Sequence, residues 1–371
     1  SDCSSLTAIT VAEGNAVYDS RGGCNAIIET NSNTLIAGCS ATIIPEGVTS
    51  IGRYAFYACS GLTAITLPAS VMSIGNYAFY ECSGLTAINI PEGVTSIGYA
   101  ALNKCSSLTS INIPEGVTSI GDYAFQFCSS LISLTIPMST TSIGEAAFSC
   151  CSSLTSIIVT EGNTIYDSRE GCNAIIETSS NTLVFGCSTT IIPESVTSIG
   201  GAAFSRCSNL ASIIIPKDVT SIGNHAFDYC SSLTSITCEA ATPPTAYSST
   251  FYRIDNSIPV YVPAGSVEAY KAAEGWSEFT NIQAIPSTDI ASGTCGDNLT
   301  WRLTEEYELI IEGTGEMYDY ESYGSPWYEY RESIQTISLS ESMTSIGNYA
   351  FYNCSSLTTI TIPEGVTSIG G

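Results

Sequence analysis

Apolar and polar positions alternate along this chain in short bursts, and the bursts recur in phase. Residues 108–113 read Leu-Thr-Ser-Ile-Asn-Ile, followed by a Pro-Glu-Gly turn at 114–116, a Val-Thr-Ser-Ile run at 117–120, and a Gly-Asp-Tyr-Ala-Phe-Gln-Phe-Cys-Ser-Ser segment that ends at Ser130. The pattern predicts a strand over 108–113, a tight turn, a second short strand over 117–120 and a closing turn. Ile-Gly pairs beginning at Ile51, Ile74, Ile97, Ile120 and Ile143 stand 23 residues apart, as do those at Ile199 and Ile222. The cysteines keep the same step at Cys59, Cys82, Cys105, Cys128 and Cys151, and again at Cys207 and Cys230. A cycle of this length is too short for a helix pair, and one coil cannot bury its own apolar face. The period therefore predicts a mainly β repeat solenoid of short parallel strands in which neighbouring coils cover one another.

The period breaks twice, by the same amount. Tyr18-Asp19-Ser20-Arg21 corresponds to Tyr166-Asp167-Ser168-Arg169, Cys24 to Cys172 and Cys39 to Cys187, all at an offset of 148. Each insert reads as a hairpin around a polar turn, Asn31-Ser32 or Ser179-Ser180. A two-residue loop sets Ile28 opposite Leu35, Ile27 opposite Ile36 and Cys24 opposite Cys39. After Leu233 the repeat decays into a cap over about 238–285. Residues 266–275 form the one convincing helix there, with Ser266 as N-cap and Gly275 as stop. Residues 286–296 read as a connection and residues 299–303 with 308–312 as a hairpin. The aromatic stretch 318–330 leads to a fresh coil at Ile334. The expected organisation is an array over 1–285 with its cap, a linker and hairpin module over 286–332, and the start of a second array over 333–371. Opening on a Cys-Ser-Ser and closing within a motif, the chain reads as a piece of a longer array, and the first residues do not read as a signal peptide.

These motifs resemble the BspA-like branch of the leucine-rich repeat family, with its Leu-x-x-Ile-x-Ile-Pro and Ile-Gly-x-x-Ala-Phe-x-x-Cys signature, over roughly 1–285 and 333–371. The resemblance implies a right-handed leucine-rich-repeat solenoid with few helices. It also implies a secreted or cell-surface protein, often bacterial, that binds matrix proteins, host cells or other microbes, and it implies no catalytic residues or cofactor. Protein or glycan ligands are the expected partners of a monomer. The runner-up is an architectural spacer within a larger surface protein.

Composition narrows the chemistry. Ten Lys and Arg stand against 35 Asp and Glu, a net charge of -25, with charged residues only 12% of the chain. Such a surface lacks the basic footprint for nucleic acid or anionic lipid. No apolar run reaches the roughly 18 residues of a membrane span. His225 is the only histidine, and its slot holds Tyr54, Tyr77, Tyr123 or Tyr349 elsewhere, which argues against a nucleophilic triad. Glu46, Glu92, Glu115, Glu194 and Glu364 fill the slot after the turn proline. Paired acids can hydrolyse glycosides and clustered acids can hold calcium, but repeated exposed turns imply a solvated ridge and no cleft, so neither a catalytic nor a metal site is expected. The in-phase cysteines read as a buried ladder of small hydrophobes, without the compact spacing of a zinc site. Cys24 with Cys39, and Cys172 with Cys187, are candidate cross-strand disulfides for an oxidising compartment.

Two surfaces are candidates for recognition. Tyr54, Tyr57, Tyr77, Tyr80 and Tyr123 recur at closing turns and are expected to stack from coil to coil, as tyrosine favours interfaces. On the strand face, Asn89 and Asn112 stand among threonines that point outward between buried Leu and Ile, a nearly uncharged hydroxyl and amide surface.

Overall fold

A computed structural model describes residues 6–286 and 288–371. It is a parallel β-solenoid, and each coil contributes to three ladders. The first sheet takes the Leu-x-x-Ile-x-Ile segments: Ala64–Thr66, Ala87–Asn89 and Ser110–Asn112 pair in parallel with Ile65, Ile88 and Ile111 in line. The second takes the Ser-Ile pairs, from Ser50–Ile51 through Ser142–Ile143, each bonded to its equivalent one coil away. Leu62, Ile65, Leu67, Val71, Ile74 and Phe79 fill the interior of one coil and contact the same positions of the next. Phe56 stacks on Phe79 with centroids 5.0 Å apart, and Phe125 on Phe148 at 5.3 Å.

The third ladder runs through the closing turns and needs an unusual backbone. The N–H groups of Tyr77, Phe79 and Glu81 donate to the carbonyls of Tyr99, Ala101 and Asn103 in the next coil at 2.7–2.8 Å. Those of Ala78, Tyr80 and Cys82 donate within the coil, to Gly75, Tyr77 and Phe79. Alternate donors thus point in different directions, which requires left-handed residues at Tyr77 (φ 56°) and Glu81 (φ 61°). The same pair of positions is left-handed at Tyr54 and Ala58, Ala100 and Lys104, and Tyr123 and Phe127. Bulky L-residues adopt this conformation at a cost of about 1 kcal/mol each, here offset by inter-coil bonds that leave few backbone groups unpaired.

The hairpin inserts form, but not in the expected register. Ala26–Glu29 pairs with Thr34–Gly38, and Ala174–Glu177 with Thr182–Gly186. Residues 30–33 form the loop, and Ile28 faces Leu35 as expected. A bulge between Ile27 and Ile28 then sets Ile27 opposite Ala37, not Ile36, so Cys24 and Cys39 fall out of direct opposition. The bulge also lets Gly38 slide over the Phe56 ring, into which a β-carbon would project. At the second hairpin, side chains divide between two cores. Ile175, Phe185 and Cys187 join the cluster of the preceding coils, while Ala174, Ile176 and Leu183 join that of the following ones.

The chain separates into two compact units, Ser1–Ile285 and Pro286–Gly371. In the first, Val260–Val262 and Ile282–Ala284 extend the sheet in parallel, and Trp276 and Tyr270 close the core. The cap helix covers Val267–Ala272, shorter than 266–275, behind a 3-10 turn at Ala264–Ser266. Ser266 makes no capping bond. Its hydroxyl donates instead to the Ala241 carbonyl at 2.6 Å, because the side chain is buried against the preceding coil. In the second unit, Ala291–Gly296 is a strand, not a connection. It pairs antiparallel with Leu299–Leu303, which pairs with Glu308–Gly313. Glu308–Gly313 pairs in parallel with Thr336–Leu339, so the hairpin and the coil after it share one sheet and one core around Trp327.

Candidate binding surface

The left-handed turns hold their side chains at the coil edge, where tyrosines collect. Tyr54 stacks on Tyr77 at 4.9 Å and Tyr57 on Tyr80 at 5.0 Å, while Tyr54–Tyr57 and Tyr77–Tyr80 meet edge to face at 5.5 and 5.6 Å. Two parallel rows of rings result. Tyr99 links them to Tyr123, with centroids 5.2 Å from Tyr77 and 5.5 Å from Tyr123. Sequence reasoning missed Tyr99 because it occupies the slot before the repeated tyrosine, where Arg53, Asn76 and Asp122 stand in other coils. Its place directly after an Ile-Gly pair was the available signal.

Cations join this face. The Arg53 guanidinium lies 4.7 Å from the Tyr54 ring centre, and the Lys104 ammonium 5.1 Å from that of Tyr80. Lys104 also meets Glu81 at 2.6 Å, and this bond, then one to Tyr80, raises the lysine above its usual range. Burial among neighbouring rings and the Tyr99 hydroxyl push Tyr77 up, and burial beside Glu145 and Asp122 does the same for Tyr123. Beside the tyrosines runs a cleft of about 580 Å3, lined by the hydroxyl column Ser60, Ser83, Ser106 and Ser129 and crossed by the Glu81–Lys104 pair. Rings, hydroxyls and two cations therefore share one edge. Asn89 and Asn112 are exposed neighbours in the first sheet, on strands apart from this turn face.

Elsewhere the side chains have structural work. Cys82, Cys105, Cys128 and Cys151 each donate to a carbonyl of the preceding coil, at Phe56, Phe79, Leu102 and Phe125, over 3.1–3.3 Å. Burial pushes these thiols well above their ordinary range, so they are poor nucleophiles. Cys24, Cys39, Cys172 and Cys187 are free thiols. Cys39 and Cys187 donate to the carbonyls of Asn25 and Asn173, at 3.5 and 3.4 Å. His225 stands 3.6 Å from Asp228, and the nearby Cys150 thiol is pushed up to about 12 by burial. Glu115 accepts a bond from the Met138 N–H at 3.0 Å. Among the described residues, no three His, Cys, Asp or Glu side chains are grouped to hold a metal. Arg21 clasps Asp19 at 2.9 and 2.7 Å and reaches Asn33 in the hairpin loop at 3.0 Å, and Arg169 repeats this with Asp167 and Asn181.

Residues 49–173, 180–288 and 321–371 match the description of a BspA type leucine rich repeat region, in six copies. The chain belongs to the BspA-type leucine-rich repeat family. Membership points to a binding or adhesion-type surface module. Solved structures similar to this BspA-type chain include a leucine rich cell surface protein from Faecalibacterium prausnitzii A2-165, at 23% identity over 76% of this chain and 96% of that one, with a TM-score of 0.46. The pneumococcal vaccine antigen PcpA is 16% identical over 76% of this chain and all of its own, 100%, with a TM-score of 0.45. A leucine-rich repeat protein from Bacteroides ovatus ATCC 8483 is 21% identical over 95% and 88%, with a TM-score of 0.42. No curated protein matches the chain. No helix among the described residues is long and apolar enough to cross a membrane.

The signature cysteine of the BspA-type coil is therefore an inter-coil hydrogen-bond donor. A thiol reagent added to the native protein at pH 7 should label none of the fully buried column thiols within minutes, and all 16 cysteines should react after denaturation without reductant. A shortfall of two or four in the denatured count would show hairpin disulfides instead.

Proposed function

We propose that this chain is a non-catalytic, extracellular or cell-surface adhesion module that holds protein or glycan ligands on the tyrosine-bearing turn face. The observation that carries this reading is the continuous patch of Tyr54, Tyr57, Tyr77, Tyr80, Tyr99 and Tyr123. Aromatic rings with hydroxyl tips give contact area at low entropic cost. Their backbones are fixed by the turn ladder, so little ordering is needed on binding. The serine-lined cleft alongside supplies hydrogen-bond partners, and the Arg53 guanidinium and the Glu81-paired Lys104 ammonium add cationic contacts to the rings. Asn89, Asn112 and the surrounding threonines offer a second, weaker polar surface.

The test is a screen of the whole chain against immobilised matrix proteins, mucins and glycans, repeated with a Tyr54→Ala/Tyr77→Ala/Tyr80→Ala variant. We expect at least one saturable ligand whose affinity falls tenfold or more in the variant, about 1.4 kcal/mol. A well-folded protein with no saturable ligand would favour the spacer reading.

A further inference from the structure

The 148-residue duplication carries a feature that neither the ladders nor the tyrosine face uses. On the first sheet, each insert leaves a cleft between the segment that follows the hairpin and the next regular strand. The first, about 350 Å3, lies between residues 42–46 and the strand Ala64–Thr66. The second, about 370 Å3, lies between the equivalent residues 190–194 and Ser212–Ile215.

The chain builds these clefts by diverting hydrogen bonds. Thr42 sits where a regular coil has a core isoleucine, and its hydroxyl donates to the Asn25 carbonyl at 2.7 Å while accepting from the Cys39 N–H at 2.7 Å. The Ile43 N–H donates to Cys24. Thr190, Cys187, Asn173, Ile191 and Cys172 repeat the arrangement. The post-hairpin segment is thus tied to its own insert, not to the strand ahead. Among the described residues, no backbone hydrogen bond joins 40–44 to Ala64–Thr66, or 188–192 to Ser212–Ile215. Both strands end their sheets, so one edge of each is unpaired.

Edges of this kind are normally blunted with lysine, proline or a covering loop. Here Pro68 and Pro216 stand just past the ends of the two strands, but the strands themselves carry neither proline nor lysine, and the rest of each rim is apolar and acidic. Ile43 is 75% exposed and Ile191 76%. Glu46 lines the first cleft, and Glu194 and Glu239 the second. Lys217 follows Pro216 at the second, but Asp218 comes directly after it, so this mouth remains net acidic.

We propose that each cleft is a peptide-binding site that accepts an extended, basic and apolar segment of a partner protein as an added strand, giving two equivalent sites per chain. Main-chain bonds to the free edge supply affinity that depends little on sequence. Apolar side chains of the segment cover Ile43 or Ile191, and its Lys or Arg residues meet the acidic rim. The charge of the whole molecule, -25, favours encounter with a cationic segment and repels an acidic one.

The probe is the peptide acetyl-Lys-Val-Lys-Val-Lys-Val-amide, titrated calorimetrically into the whole chain. Two copies should bind per chain. Ile43→Arg or Ile191→Arg alone should reduce this to one, and the double variant should lower affinity at least tenfold at both sites. Both isoleucines are exposed, so these changes leave the core intact, and a circular dichroism spectrum confirms the fold. A Glu-for-Lys peptide and one N-methylated at alternate residues should bind at least tenfold more weakly. Equal binding of either control, or a stoichiometry unmoved by the arginine substitutions, overturns the proposal. The Tyr54→Ala/Tyr77→Ala/Tyr80→Ala variant should bind the peptide unchanged, so these sites stand or fall apart from the tyrosine face.

Discussion

Raising the pH above about 9 should unfold the main array steeply, while stability stays nearly flat between about pH 6 and 8. Six column thiols, at Cys82, Cys105, Cys128, Cys151, Cys207 and Cys230, are pushed up by burial, Cys207 to about 12. In the unfolded chain they return to about 8.5. Below that value both states keep the protons, and these groups contribute no pH dependence. Above it the unfolded chain releases protons that the folded chain retains, so the equilibrium moves toward unfolding. Each thiol contributes a slope of about 1.4 kcal/mol per pH unit, so six acting together give about 8 kcal/mol per unit, more than most domains can withstand. Thermal or urea unfolding in reductant from pH 6 to 10.5 measures this. Replacing Cys105 and Cys128 by Ala should lower the slope by about 3 kcal/mol per pH unit. An unchanged midpoint at pH 10.5 would remove the cysteine ladder as the cause.

Gly121→Ala should cost about 3 kcal/mol. The glycine of each Ile-Gly pair crosses directly over the backbone of the preceding coil. At Gly121 the N–H donates to the Ile97 carbonyl at 2.9 Å, and a β-carbon would lie 2.8 Å from the Gly98 carbonyl carbon and the Tyr99 nitrogen. The obstruction is backbone, which has no rotamer to yield, so the two coils must part or the ladder must bend. Gly265→Ala is the control, since its β-carbon meets nothing within 4 Å. Urea midpoints should fall sharply for the first and barely move for the second. Equal midpoints would show that the coils separate easily, contrary to the packing described.

The same Ile-Gly step explains why the architecture is legible in the sequence. Ile51, Ile74 and Ile97 can recur at one spacing only if each coil repeats the last, and the buried Leu, Ile, Phe and Cys positions follow from that. The turn backbone was hidden because its key positions carry Tyr77, Glu81, Lys104 and Phe127, residues with no local preference for positive φ. Their conformation is imposed by hydrogen bonds to the next coil, which no local pattern encodes. The bulge, whose extra residue is Ile36, was likewise invisible, since nothing in the local sequence marks which residue of the strand goes unpaired. Of the candidate site, the stacked tyrosines were readable from their phase. Arg53, Lys104 and Tyr99 were not, because each occurs once in its slot, and neither were the twin clefts, which exist through bonds that Thr42 and Thr190 divert. Ser266 misled because a hydroxyl at a helix start is the usual cap, and here a buried carbonyl competes for it.

The division of side chains at the second hairpin bears on how this molecule responds to force. Within the regular coils, the Leu and Ile columns run from one coil into the next, so a pull along the axis is shared among many similar contacts. At residues 174–187 the columns change hands: Ile175 and Phe185 grip one side, Ala174, Ile176 and Leu183 the other. A repeat array yields at its weakest neighbour interface, and the change of columns, bridged by Phe148 against Phe185 with centroids 5.6 Å apart, makes this hairpin the expected seam under tension.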